Sequence, residues 1–460
     1  MSMQPEDGLE QTALSPLHPG PALLGSAWVI RGRRITGIVT SFLLGQGASQ
    51  ALTLLAGLFL VRHLSTQSYA QFGLTSGFQT MFLTLMDLGF AGTIVPMVGD
   101  RKNDRALVGR HVRAAKHLRD RAFLGIAPIA AFAFLGLMHR QHWSWSVQAI
   151  LLFSVLLTLY SGGKASYFAA PLFMHGKLRS YYVLQVLAAA VRLGSYVVLA
   201  LTGGLNAWVA AVIAALTTVL TAEYFAHQAK PLMDWPAGDD SATEKKIIRY
   251  IMPAAPAMIF AAFQAQITLI LISLFGGQTA YIAQVAALGR IGQVFTVLAT
   301  FNLIVVEPYI ARLNHRRLLP TFLMLTGLAC LLMMPIVCAA FAWPQAFLLL
   351  IGPKYSSLRD VLGWVILAAA INYIAGLIWM MNRARTWVFW SGSFLEVGLL
   401  ITVQIAFLVA VGIKNTRDAV FLAFAASICV LIAHIYVAIY GLWKTHRDHR
   451  ADVPLSLAGD

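Results

Sequence analysis

"TFLMLTGLACLLMMPIVCAAFAW" (321–343) runs for 23 residues without an Asp, Glu, Lys or Arg. As a helix it is about 35 Å long at 1.5 Å per residue, enough to cross the roughly 30 Å hydrocarbon core of a bilayer. Inside that core every backbone amide must pair internally, so only helices and closed barrels span it. Barrel strands need only about ten residues, so a run this long is a helix. Similar runs recur along the chain. They predict twelve spans at about 35–61, 72–99, 122–139, 147–173, 181–203, 208–229, 251–276, 281–311, 321–343, 360–381, 386–412 and 416–442. The fold class read from this pattern is all-α: a polytopic membrane protein with two six-helix lobes around a central cavity.

Composition agrees. The chain is 58% hydrophobic and only 12% charged, with a mean hydropathy of +0.71, against about a quarter charged in soluble domains. The net charge of +15 is explained by the positive-inside rule. With a cytoplasmic N-terminus, about 25 of the 34 Lys and Arg fall in inner loops. Nucleic acid is therefore not an expected partner. The largest basic cluster, "DRKNDRALVGRHVRAAKHLRDR" (100–121), reads as an amphipathic helix lying on anionic phospholipids at the inner face. Cys330, Cys338 and Cys429 all fall inside spans and read as packing residues. Trp143, Trp145, Trp208 and Trp343 sit near span ends, as interfacial anchors do.

Residues 1–34 read as a cytoplasmic tail, because the basic "RGRR" (31–34) follows rather than precedes the apolar "ALLGSAWVI", the reverse of a signal peptide. Residues 35–229 form the expected N-lobe, 230–250 a cytoplasmic inter-lobe loop, 251–442 the C-lobe and 443–460 a cytoplasmic tail. A faint internal repeat supports the division. "SYAQFGLTSGFQTMF" (68–82) resembles "YIAQVAALGRIGQVF" (281–295), an offset of 213 residues. Six spans per copy give both halves the same orientation, related by an axis along the membrane normal.

The spans are not uniformly apolar. In "TMFLTLMDLGFAG" (80–92), Asp87 continues a stripe with Ser76, Thr80 and Thr84 that covers about 80° of the helix. Gln46, Ser49, Gln50 and Thr53 make a second stripe. Tyr181, Gln185, Arg192 and Ser195 make a third, and Arg290, Gln293, Thr296, Thr300 and Glu307 a fourth. Tyr160, Ser161, Lys164 and Tyr167 cluster in the fourth span; Ser393, Glu396 and Gln404 lie in the eleventh. Ser, Thr and Gln serve helix adhesion at about 0.6 kcal/mol each. Ionised groups cost at least ~2.5–3.5 kcal/mol at the bilayer centre, and five of them, Asp87, Lys164, Arg192, Arg290 and Glu396, point to a water-filled cavity. A cluster of buried ion pairs is the alternative reading.

Catalytic and nucleotide motifs are missing. No G-x-x-x-x-G-K-[ST], H-E-x-x-H, C-x-x-C or G-x-S-x-G occurs, and no loop is long enough to hold a nucleotide domain. The sequence predicts no enzyme, no cofactor and no metal site.

Four segments in order carry a family resemblance. "LLGQGASQALTLLAGLFLVRHLSTQSYAQFGL" (43–74), "LTLMDLGFAGTIV" (83–95), "HGKLRSYYVLQVLAAAVRL" (175–193) and "FLLLIGPKYSS" (347–357) resemble Wzx-type polysaccharide flippases. That family belongs to the multidrug/oligosaccharidyl-lipid/polysaccharide exporter superfamily. The resemblance implies alternating access between two lobes. It also implies transfer of an undecaprenyl-diphosphate-linked oligosaccharide from the inner to the outer leaflet of the cell inner membrane. Polysaccharide polymerase and glycosyltransferases would act alongside. "VVEPYIARL" (305–313) departs from the family pattern at Glu307.

On this reading Lys164, Arg192 and Arg290 bind the diphosphate, since Arg forks match phosphate oxygens. Gln46, Gln50, Gln185 and Gln264 meet the sugar, and Asp87 and Glu396 carry a coupling cation or proton. A cation-coupled drug antiporter, a lipid II flippase and a membrane glycan polymerase are the competing readings.

Overall fold

The computed structural model describes residues 45–451, apart from 100, 236–237, 239, 253–254, 265, 276–277, 293, 303–305, 312, 315–316, 386 and 388. The expected N-terminal tail, the start of the first span, the end of the C-terminal tail and Gln293 lie outside the described residues. Those that are described form helices and no strand.

The first part of the chain contains α1 (45–63), α2 (Thr66–Asp87), α3 (Ile94–Val98), α4 (Arg105–Arg140), α5 (Trp145–Met174), α6 (Leu178–Leu201) and α7 (Ala207–Ala229). A short helix, α8 (Ser241–Ile251), follows. The second part contains α9 (Ala255–Gln264), α10 (Ile267–Phe275), α11 (Thr279–Gly292), α12 (Val294–Phe301), α13 (Glu307–Ala311), α14 (Leu318–Ala342), α15 (Pro344–Ile351), α16 (Arg359–Ala384), α17 (Trp390–Ala410) and α18 (Thr416–Ala451). Among the described residues eight helices are long and apolar enough to cross a membrane. A ninth span is available if the bent pair α9–α10, which turns by 49°, counts as one. The chain is a multi-pass membrane protein.

Packing follows the chain order. Helix α5 packs on α4, α2 and α7, while α16 packs on α14 and α18, and α18 on α17. The principal crossing between the two sets is α2 against α11, which carry most of the two segments that resemble each other in sequence. A Cβ on Gly73 would lie 2.5 Å from the Cβ of Ala286, and 73 and 286 differ by the repeat offset. Gly73 and Gly77 are four apart, the small-x-x-x-small spacing that lets two membrane helices approach closely. Gly73→Leu should separate α2 from α11 and destabilise the protein by about 1–3 kcal/mol, the usual cost of overpacking. A thermal melt in detergent reads the loss; an unchanged melting temperature contradicts this account of the crossing.

Helix ends are made by ordinary chemistry. Asp104 caps α4 through Leu107 N at 2.9 Å, and Asn206 caps α7 through Val209 N at 3.0 Å. Asp240 caps α8 through the amides of Ala242 and Thr243, both at 3.1 Å. The Thr243 hydroxyl and amide hold the Asp240 carboxyl below the usual carboxylate range. Helix α2 stops at Asp87 because Leu88 and Gly89 take positive φ values of 40° and 79°.

The basic segment differs from expectation. Its residues 105–121 form the first half of α4, which is 36 residues long and so about 54 Å, far longer than the hydrocarbon core. The segment is therefore a rigid extension of a span. Its apolar face, including Val108, Val112, Ala115 and Leu118, is buried within the protein, so that face does not lie on headgroups. Trp145, Trp208 and Trp343 are exposed near helix ends, but Trp143 is buried. Cys429 packs as expected, whereas Cys330 and Cys338 are exposed.

Candidate functional site

A cavity of about 490 Å³ lies between the two sets of helices. Helix α2 contributes Gly73, Ser76, Gly77 and Thr80 to its wall. The opposite wall includes Gln266 beside α10, Arg290 of α11, Asn372 of α16 and Ala419 of α18. The α2 stripe thus faces a cavity over its first half. Small residues make the space: Gly289 and Gly292 also line it.

A second cavity, of about 230 Å³, adjoins it, lined by the first set of helices and by Arg290. Arg290, Ser76 and Thr80 line both cavities. The second adds Thr53 of α1, Thr84 of α2, Thr158 of α5, Arg192 and Tyr196 of α6, and Thr218 of α7. Two guanidinium groups, brought from opposite parts of the chain, therefore converge on one space. Arg192 Nε and Nη2 donate to the Thr217 hydroxyl at 3.1 and 2.9 Å; its partner is neutral. Arg290 Nε donates to the Tyr69 hydroxyl at 3.4 Å, and its guanidinium sits 5.8 Å from the centre of the Phe72 ring. Gly57 of α1 gives it room, since a Cβ there would lie 3.1 Å from Arg290 Cδ. Neither cavity is lined by an Asp or Glu among the described residues.

One end of the bundle is tied across the two sets. Lys354 donates to the Leu64 carbonyl at 2.5 Å, and the Arg62 guanidinium donates to the Leu349 carbonyl. Gln141 donates to the Ser273 carbonyl at 2.8 Å and accepts from Thr279 at 3.3 Å. Tyr69 meets Tyr355 edge-on at 6.5 Å.

The other sequence-selected residues lie elsewhere. Asp87 lines neither cavity. Arg119 of α4 donates to its carboxylate at 3.2 Å and Ser166 of α5 at 3.4 Å. Arg119 is buried and also donates to the Leu159 carbonyl at 3.1 Å, so one side chain ties α2, α4 and α5 together. Gly163 permits this: a Cβ there would fall 1.5 Å from Arg119 Nε. Lys164 pairs with Glu223 of α7 at 2.5 Å, on a half-exposed flank. Gln264 accepts from Gln404 of α17 at 2.6 Å, and Gln185 donates to Tyr181 at 3.4 Å. Gln46 and Gln50 are half-buried on α1 and line neither cavity. Glu307, at the departure from the family pattern, is gripped by both Nε and Nη2 of Arg383 at 3.1 and 2.6 Å. Glu396 is half-buried on α17 and has no hydrogen bond or ion pair among the described residues. Those residues also contain no cluster of three His, Cys, Asp or Glu fit for a metal.

Sequence reasoning missed Arg119, Thr217, Tyr69 and Tyr196. Arg119 had one visible signal: it shares an α4 face with Val108, Val112 and Ala115, all buried. A basic residue on an apolar face calls for a buried acceptor.

No family model and no curated protein sequence matches the chain. Its fold is shared with solved membrane transporters. An inward-facing multidrug resistance MATE family transporter of the MOP superfamily matches with a TM-score of 0.60 at 14% identity. The match covers 88% of this chain and 96% of that one. Lipid II flippase MurJ, in an inward closed conformation, matches with a TM-score of 0.63 at 12% identity, covering 90% and 93%. An outward-facing multidrug resistance MATE family transporter matches with a TM-score of 0.55 at 14% identity, covering 89% and 94%. The chain therefore has the MATE- and MurJ-like polytopic transporter fold.

Proposed function

We propose that this protein is a flippase that moves an undecaprenyl-diphosphate-linked oligosaccharide from the inner to the outer leaflet by alternating access. One observation carries the reading: Arg192 and Arg290 converge on a cavity whose described lining holds no carboxylate. A lipid diphosphate cannot cross hydrocarbon without cationic partners, and guanidinium forks bond its oxygens in pairs. A cationic drug would be repelled there, which disfavours a drug antiporter. The hydroxyls of Thr80, Thr84, Thr158 and Thr218 suit sugar. The lipid tail would remain in the bilayer, so the cavities need hold only the polar head.

Lys164 and Asp87 line neither cavity, whereas Arg192 and Arg290 line the same one, so we assign the diphosphate role to Arg192 and Arg290. Glu396, a half-buried carboxylate with no partner among the described residues, is the better candidate for a coupling cation or proton.

The experiment is reconstitution. Purified protein in liposomes should expose a fluorescent undecaprenyl-diphosphate oligosaccharide to an external quencher well above protein-free vesicles. Lipid II, which carries the same diphosphate, is the discriminating comparison: faster movement of lipid II would assign the protein to peptidoglycan precursor transport. Movement of a cationic dye and of neither lipid would refute the flippase reading.

A further inference from the structure

The segment joining the two sets of helices is built with two unlike faces. Helix α8 turns Thr243, Glu244, Ile247 and Ile251 inward. Glu244 is only 6% exposed. Arg121 of α4 donates to its carboxylate at 2.8 Å, and His117 of α4 lies 3.2 Å from it. The start of the segment is tied as well, through Asp234 N to the Arg105 carbonyl at 3.1 Å. The helix is thus fixed to the half of α4 that extends past the hydrocarbon. Its only carboxylate, Glu244, is consumed by that attachment.

The outward face carries Lys245, Lys246 and Arg249, all exposed, and the one acidic residue among 241–252, Glu244, is turned inward. Ile248, Tyr250 and Met252 are exposed beside them, at 40%, 59% and 61%, with Trp235 near the start of the segment at 47%. Acidic Asp240 sits at the far end, its carboxylate occupied in capping. A short helix with basic side chains among exposed aromatic and aliphatic ones is the pattern of a helix lying at a headgroup–acyl boundary. Three positive charges with no negative one select anionic lipid.

We propose that the outward face of α8 is a binding site for the headgroups of anionic phospholipids in the surrounding bilayer. Lys245, Lys246 and Arg249 hold the phosphates while Ile248 and Met252, one turn apart on the same flank, enter the acyl boundary. The site goes beyond the flippase reading and does not depend on it. Because Glu244 joins this face to α4, the linker between the two sets of helices is anchored both to protein and to lipid.

Native mass spectrometry of the full chain in detergent, with phosphatidylglycerol or phosphatidylcholine added, tests the site. Wild-type protein should retain phosphatidylglycerol in preference. K245Q/K246Q/R249Q should weaken that retention roughly tenfold or more. R101Q/K102Q/R105Q, with the same loss of charge just before and at the start of α4, should weaken it clearly less than the α8 variant. Retention unchanged in the α8 variant, or reduced equally in both, would overturn the proposal. A second measurement leaves the charges intact. A polarity-sensitive dye on Ile248→Cys, with the three native cysteines replaced, should shift to the blue in nanodiscs of equimolar phosphatidylcholine and phosphatidylglycerol relative to pure phosphatidylcholine. A dye that stays water-exposed in both would mean that a soluble partner, not lipid, takes this face, and the proposal fails.

Discussion

The double variant R192A/R290A should abolish flipping of the diphosphate-linked oligosaccharide while still inserting and folding. A hydrogen bond to a charged group contributes about 1.5–3 kcal/mol, so each arginine alone should cost roughly 10- to 100-fold in transport. The two act on one cavity, and their losses are expected to couple rather than add, as they do for groups sharing a partner. Arg192→Lys should recover only part of the rate, because an ammonium cannot bond two phosphate oxygens through a planar fork. Liposome flipping rates check all four variants. Arg192 is on α6 and Arg290 on α11, so a substrate bridging them would feel any movement of one set of helices against the other. That geometry is what a carrier with alternating access needs.

Arg119→Ala should be the most damaging single substitution for stability. It leaves Asp87 among α2, α4 and α5 without its cation, and breaking a pair of this kind costs about 3–5 kcal/mol. Asp87 is 29% exposed and Arg119 5%, so water relieves some of the penalty and the lower figure is the expected one. D87N/R119M, which removes both charges, should regain much of the loss, since an uncharged pair has no uncompensated ion. Gly163→Ala should reproduce the Arg119→Ala defect without touching either charge, because the new methyl occupies the position of Arg119 Nε. Melting temperature in detergent orders the variants. If Arg119→Ala melts with wild type, the triple tie between α2, α4 and α5 is not holding the bundle.

Eight of the twelve expected spans coincide with single helices long and apolar enough to cross a membrane among the described residues, because hydrophobicity over 20 residues is a local property. The stretch 321–343 lies almost wholly in α14, and 147–173 lies in α5. The α2 stripe was readable for the same reason: Ser76 and Thr80 share a face by period alone, and that face borders the cavity. What period cannot supply is the partner. Asp87 finds Arg119 32 residues away, Lys164 finds Glu223 59 away, and Glu307 finds Arg383 76 away. Each pair joins different helices, and nothing in one helix's pattern names the other. Arg119 was hidden further because charge density made its segment read as a surface helix, whereas α4 continues through it without a break. Arg192 and Arg290 were visible as costly residues, but their convergence on one cavity depends on how α6 and α11 are arranged around α2.

Transport of a diphosphate through this fold requires a cavity that is wet and positively charged. Ser76→Cys, in a chain with Cys330, Cys338 and Cys429 replaced, tests this most directly through its rate of modification by anionic and cationic methanethiosulfonates of similar size. An arginine within several ångströms of the thiol favours the anionic reagent by about tenfold, and the preference should shrink in the Arg290→Ala background. Labelling by neither reagent from either side of the membrane, or faster labelling by the cationic one, would contradict the account.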